Sequence, residues 1–278
     1  MSAHAVTRPP GSATEPSARP ARAGNDRVVY LLSVAAFTAA AWSTYQFARS
    51  MSGEMAMPGG WTMSMMWMPM RGESLIGAGL SFALMWVAMM VAMMLPSTLP
   101  IVLIFRRASA FRGEKRLGLS TLLLAAGYFA VWLGFGIIAY ALGTGIGRAA
   151  MASEGFSRLV PLASGLALFA AGAYQLTPWK MACLKHCRDP LHIIAEHLGR
   201  GSSGALALGA HHGAYCAACC WALMVIQLVL GVMSLTLMVL IAVVIALEKL
   251  LARGELVARL AGAAAIAGGL FLVVRAAG

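Results

Sequence analysis

The sequence predicts an all-α membrane protein, a polytopic transmembrane helix bundle of about seven helices with its N-terminus in the cytoplasm. Sixty per cent of the residues are apolar and only 11% are charged, whereas soluble domains carry roughly 25% charged residues. The mean hydropathy is +0.78, and several apolar runs reach the about 17 to 25 residues that a helix needs to cross a bilayer. The composition therefore excludes an ordinary soluble enzyme or binding domain.

The apolar runs follow one another along the chain with short connections between them. The seven predicted spans are 28–48, 75–105, 117–142, 159–176, 205–230, 235–251 and 256–274. Residues 1–27, rich in Pro, Ala, Ser and Arg, predict a disordered cytoplasmic tail. The triplet Ala39-Ala40-Ala41 resembles a signal cleavage site, and removal of the first span, 28–48, would leave six helices.

The basic residues predict which side of the membrane each connection faces. Of the 21 Lys and Arg residues, 16 lie in the N-terminal tail and in alternate connections. Because cytoplasmic loops are enriched in Lys and Arg, this asymmetry predicts a cytoplasmic N-terminus. The net charge of +11 then follows from topology, so no nucleic-acid partner is predicted. The expected location is the bacterial inner membrane, crossed several times, with the lipid bilayer as the surroundings.

The predicted extracytoplasmic loop at 49–74 is unusually rich in methionine. Its segment GWTMSMMWMPM contains five methionines and two tryptophans in eleven residues. The methionines are Met63, Met65, Met66, Met68 and Met70. Thioethers select soft ions such as Cu(I), so these five residues predict an outer capture site. Pro58, Gly59 and Gly60 favour a loop here, and Trp61 and Trp67 are expected to lie at the membrane interface.

The second predicted span continues the methionine pattern. At helical spacing, Met85, Met89 and Met93 form one ridge, and Met90 and Met94 form the next. Methionine is also a flexible filler of apolar cores, which is the alternative interpretation for each residue taken alone. Their number beside the outer loop favours weak successive metal sites at Met89, Met90, Met93 and Met94. This span begins the predicted metal-binding helix bundle, 75–275.

Two groups of cysteine and histidine residues form the predicted metal site. On one helix, His212, Cys216, Cys219 and Cys220 share a narrow face. After the fourth span, Cys183, His186 and Cys187 lie about one helical turn apart. Thiolates and imidazoles bind both Cu(I) and Zn(II), so both groups are candidate ligands, and buried structural thiols are the alternative. Glu248 and Lys249 predict a local ion pair or a surface anchor, with Glu248 facing the bundle as the alternative.

Four sequence blocks together resemble the DUF2182 family of bacterial membrane proteins. The blocks are residues 88–96 (AMMVAMMLP), 180–190 (KMACLKHCRDP), 209–224, which contains YCAACCW, and Glu248-Lys249. The resemblance covers roughly residues 75–252 and implies a polytopic, metal-binding membrane protein without supplying a reaction. The methionine-rich residues 51–70 are also similar in composition to the outer methionine clusters of Ctr-type copper uptake proteins.

These patterns favour a protein that binds and transports or delivers a soft metal ion, most plausibly Cu(I), with Zn(II) as the alternative ion. A metallochaperone or a cuproenzyme is the expected protein partner. We predict no catalytic residue, and a binding or transport protein is favoured over an enzyme. One alternative is a membrane thiol-disulfide oxidoreductase that uses Cys216 and Cys219 as a C-x-x-C pair. A second is a non-catalytic membrane subunit of a larger complex.

Overall fold

The computed structural model describes residues 23–51, 53–68, 74–197 and 201–277. Within these ranges the chain forms nine α-helices, one short 3-10 helix and one two-stranded hairpin. The helices are α1 Ala23–Ser50, α2 Leu75–Phe111, α3 Leu117–Ala152, α4 Glu154–Gln175, α5 Pro178–Arg188, α6 Pro190–His197, α7 Gly201–Gly231, α8 Leu235–Leu250 and α9 Gly254–Ala277. The strands are β1 Glu54–Met57 and β2 Trp61–Ser64, and the 3-10 helix is Met65–Trp67. The predicted all-α architecture is confirmed.

Six of the described helices are long and apolar enough to cross a membrane: α1, α2, α3, α4, α7 and α9. They indicate a multi-pass membrane protein. The sixth predicted span corresponds to α8, which has only 16 residues and is therefore about 24 Å long, shorter than the about 30 Å hydrocarbon core. Helix α2 contains Pro96 and Pro100 and still runs unbroken over 37 residues.

The N-terminal end of α1 contacts the C-terminal end of α2. Helix α1 begins at Ala23, so residues 23–27 of the predicted tail are helical, and residues 1–22 lie outside the described part of the chain. Arg107 of α2 forms an ion pair with Asp26 of α1 at 3.0 Å. The two ends that the basic residues assign to the cytoplasm thus lie together, and we call this side of the bundle the basic end.

The opposite side, the hairpin end, carries a β-hairpin where the sequence predicted a loop. Met57 pairs with Trp61 across a turn formed by Pro58, Gly59 and Gly60. The two glycines have φ values of 100° and 74°, a region that glycine enters without steric cost. The turn residues were recognised in the sequence, but their role in pairing two short strands was not.

The hairpin is tied to the protein through Trp61. Its indole Nε1 donates a hydrogen bond to the Ser157 carbonyl at 3.0 Å, and the Ser157 hydroxyl donates to the Pro58 carbonyl at 2.7 Å. Trp61 therefore anchors the hairpin to the start of α4, a contact that the sequence did not predict.

Glycines allow the closest helix contacts in the bundle. Helix α3 packs along α7, and α4 packs along α9. A Cβ atom on Gly209 would overlap the Leu124 carbonyl, and one on Gly127 would overlap the Leu206 carbonyl. Small residues at such positions let the two backbones approach closely. Helices in a bilayer associate through such close packing, because the hydrophobic effect does not drive their association there.

Gly209→Ala is expected to destabilise the protein by about 1–3 kcal/mol, because the new methyl group meets backbone that cannot rotate away. The measurement is the free energy of unfolding in mixed micelles titrated with sodium dodecyl sulfate. Gly134→Ala in α3 is the matched control, since nothing lies within 4 Å of its Cβ position and alanine favours the helix. Equal stability of the two variants would contradict the proposed contact between α3 and α7.

Candidate metal-binding site

Three cysteines of α7 lie at the centre of the bundle. Cys216, Cys219 and Cys220 have no exposed surface. They belong to one continuous buried cluster that also contains Met66 of the 3-10 helix and methionines from three α-helices. Those methionines are Met85, Met89, Met90, Met93 and Met94 of α2, Met224 of α7 and Met238 of α8. Helices α2 and α7 thus contribute sulfur atoms to the same core.

The thiols form a chain that crosses from α7 to α5. Cys216 and Cys220 lie one helical turn apart on α7, and Cys219 is adjacent to Cys220, so the three thiols are close neighbours. Cys219 is in turn in contact with Cys187 of α5. All of these cysteines are free thiols. The two predicted ligand groups, one on each helix, therefore meet through Cys187 and Cys219.

The remaining predicted ligands lie at the edges of this chain. Cys183 is partly buried, and His186 stacks on the Tyr215 ring with centroids 3.8 Å apart. His212 is buried and stacks on Tyr128 at 5.6 Å, and its Nδ1 has no hydrogen-bond partner among the described residues. In the described ranges, no three His, Cys, Asp or Glu side chains are grouped to hold a metal ion. The thiols thus extend as a chain and do not form a closed shell.

Two polar side chains contact Cys216 inside the core. The Tyr128 hydroxyl of α3 lies 2.9 Å from the Cys216 sulfur, and the Lys249 amine of α8 donates to the same sulfur at 2.9 Å. Tyr128 and Lys249 are both buried. No sequence pattern pointed to Tyr128, because periodicity within one helix does not reveal which residue of another helix it contacts.

Glu248 pairs with a residue far along the chain. Its carboxylate accepts a hydrogen bond from the Lys180 amine at 2.6 Å and another from the Gln175 amide at 3.2 Å. The Lys180 amine also donates to the Cys219 carbonyl at 2.6 Å. The predicted local pair or surface anchor at Glu248-Lys249 is therefore wrong, and the alternative, in which Glu248 faces the bundle, describes the structure.

The charges in this region are unequal in number. Among the described side chains of this region, two buried amines, Lys180 and Lys249, accompany one buried carboxylate, that of Glu248. Lys180 is paired with Glu248, so the charge of Lys249 faces Cys216. A buried charge without a partner is costly. A thiolate at Cys216, free or bound to a metal cation, would balance it.

The predicted outer methionines separate into two groups. Met63 packs with Met57 and Ala150 in a small cluster under the hairpin. Met65, Met66 and Met68 line a cavity between the 3-10 helix, the end of α1 and the start of α2. Met70 lies outside the described residues.

Comparison with known proteins gives one match. The family model described as PpoB2, copper chaperone, matches residues 83–272, about two thirds of the chain. The matched range contains the methionines of α2 from Met85 onward, all five cysteines and the buried charges, and it begins after the hairpin. No curated protein and no solved structure matches the chain.

Proposed function

The chain belongs to the PpoB2 family of copper chaperones, and from that premise we propose that it holds Cu(I) within its membrane helix bundle and delivers it to an acceptor protein. The observation that carries the proposal is the continuous thiol chain from Cys216 to Cys187, buried beside the methionines of α2. Thiolate and thioether ligands select Cu(I). A zinc site of the structural type would instead need four ligands around one point.

We assign the tight site to Cys216, Cys219 and Cys220. Cys187 of α5 extends this site toward the basic end, and Cys183 and His186 lie on the same helix as further ligands. His212 lies beside the site and is proposed as a subsidiary ligand. Met89, Met90, Met93 and Met94 are proposed as weaker thioether positions. Sites of graded strength bind an ion well enough to admit it and weakly enough to release it.

Lys249 is proposed to balance the charge of the loaded site. Cu(I) held by two thiolates of this site, with the third cysteine protonated, carries one net negative charge, and such a charge is expensive in an apolar interior. The Lys249 amine already contacts the Cys216 sulfur, so the compensating charge is in place before the ion arrives. Lys180 and Glu248 hold α5 against α7 and α8, and this keeps Cys187 beside Cys219.

Anaerobic loading of the purified full chain tests the proposal. The expected result is at least one Cu(I) per chain that resists a chromophoric Cu(I) chelator and is not displaced by excess Zn(II). Transfer of that copper to a soluble thiol-containing metallochaperone would establish delivery. Copper at background level would overturn the proposal, and a reversible two-electron thiol titration without metal would favour the oxidoreductase alternative at Cys216 and Cys219.

A further inference from the structure

We propose a second, separate metal site at the hairpin end, where thioethers alone bind a soft monovalent cation. It rests on the proposed function, because it supplies the position at which Cu(I) first meets the protein. The site is a cavity of about 270 Å³, which we call the methionine cavity. Five methionines line it: Met51, Met65, Met66, Met68 and Met85.

The methionines of the cavity converge only in the folded chain. Met51 follows α1, Met65 and Met66 form the 3-10 helix, Met68 follows it, and Met85 lies in α2. Methionine normally fills irregular gaps in a core, and protein interiors hold few voids larger than a water molecule. The methionines around this cavity are flexible enough to fill it, yet the cavity is open. This arrangement favours an occupant that thioethers bind.

The lining also defines the charge and the softness of the occupant. Besides the methionines, its lining among the described residues consists of Ser50, Gly53, Ala78, Ser81 and Phe82, and none of these residues carries a carboxylate, an imidazole or a thiol. Hard cations such as Ca²⁺ and Mg²⁺ require oxygen ligands, mostly carboxylates. Thioethers bind soft ions without losing a proton. A neutral thioether lining therefore fits Cu(I), and it fits Ag(I) as a chemical substitute for Cu(I).

The cavity leads from the surface toward the core. Met65 is 41% exposed at its mouth, whereas Met85 is 2% exposed at its inner side. Met85 is also the first residue of the α2 ridge that continues through Met89 and Met93, and each step along this ridge is about 6 Å. These residues belong to the same buried cluster as Cys216. The methionine cavity thus lies at the outer end of a row of thioethers that reaches the thiol core.

Silver binding to the full chain tests the cavity independently of the thiols. In a background in which all five cysteines are replaced by alanine, equilibrium dialysis is expected to show a remaining class of Ag(I) sites. Adding Met65→Leu, Met66→Leu and Met68→Leu is expected to remove that class, because leucine preserves size and apolarity but lacks sulfur. Such volume-conserving changes usually cost little stability, so the chain is expected to remain folded, as gel filtration in detergent would show.

The control variant is Met55→Leu/Met57→Leu/Met63→Leu, which removes three methionines of the same hairpin that do not line the cavity. It is expected to keep the remaining Ag(I) sites. Equal loss of silver in the two methionine variants, or no silver bound in the cysteine background, would overturn the cavity as a site. Either outcome leaves the thiol site untouched, because that site is measured in the chain with all its cysteines.

Discussion

Replacing Cys216, Cys219 and Cys220 together by alanine is expected to abolish chelator-resistant Cu(I) binding. These residues supply three of the four thiols in the buried chain, and alanine leaves apolar side chains where soft ligands stood. The methionines of α2 remain, but thioethers carry no charge to offset that of the ion in an apolar interior. The measurement is competition between the protein and a chromophoric Cu(I) chelator under anaerobic conditions, with the copper content determined independently.

The control is Ile226→Ala, which removes apolar volume from the same helix without removing sulfur. Ile226 is buried in the same cluster as the thiols, so its truncation reports how much copper binding falls through loss of packing alone. It is expected to keep the full copper content. Cu(I) affinity that is as high in the triple cysteine variant as in Ile226→Ala would contradict the assignment of the tight site to α7.

Glu248→Ala is expected to lower the free energy of unfolding by about 3–5 kcal/mol, because it leaves the Lys180 amine charged and without its carboxylate in the core. Lys180 and Glu248 are completely buried, and their atoms are 2.6 Å apart. Among the described residues, the Cys219 carbonyl alone would then accept a hydrogen bond from that amine. Unfolding in mixed micelles by sodium dodecyl sulfate measures the change.

Two further variants test whether the loss of stability comes from the broken Lys180–Glu248 ion pair. Glu255→Ala removes an exposed carboxylate at the start of α9, and surface changes of this kind usually stay within about 0.5 kcal/mol. Lys180→Met/Glu248→Leu replaces both charges, and it is expected to recover much of the lost stability, because apolar replacements of a buried pair are often neutral or stabilising. A Glu248→Ala variant as stable as Glu255→Ala would show that the ion pair does not stabilise the bundle.

Hydropathy predicted the helices well because a bilayer leaves the chain few alternatives. Spanning segments must satisfy their backbone hydrogen bonds internally, so long apolar runs become helices. The sixth predicted span, 235–251, corresponds to α8 within one residue, although its 16 residues are few for a straight crossing. The prediction was least accurate at residues 54–64, where two four-residue strands pair. Short strands carry too few residues for a periodic signal, and the pairing depends on a turn held by Ser157.

The candidate site was predictable in part, one helix at a time. Helical spacing placed His212, Cys216, Cys219 and Cys220 on one face, and all four side chains are buried. Their contacts with Tyr128 and Cys187 depend on how three helices pack, which no local pattern encodes. A usable signal did exist at Glu248 and Lys249, because ionisable residues inside a membrane bundle usually mark function.

For the outer methionines too, the sequence predicted the local cluster but not the contacts that the fold creates. Composition identified the segment around Met63 to Met68 as a thioether cluster, but the cavity it forms is completed by Met51 and Met85 from two other elements. Met63 turns to the other side and packs against Ala150. Alternation along β2 and the position of the 3-10 helix decide which sulfur atoms face the cavity.

The decisive measurement is the copper K-edge X-ray absorption spectrum of the anaerobically loaded full chain in detergent. Copper bound by the buried thiols predicts Cu(I) with a first shell dominated by sulfur. After weakly held copper has been removed with the chromophoric chelator, that signal should be lost in Cys216→Ala/Cys219→Ala/Cys220→Ala and retained in Ile226→Ala. A first shell of nitrogen and oxygen, or a sulfur shell that is unchanged in the triple variant, would contradict a copper site built on Cys216, Cys219 and Cys220.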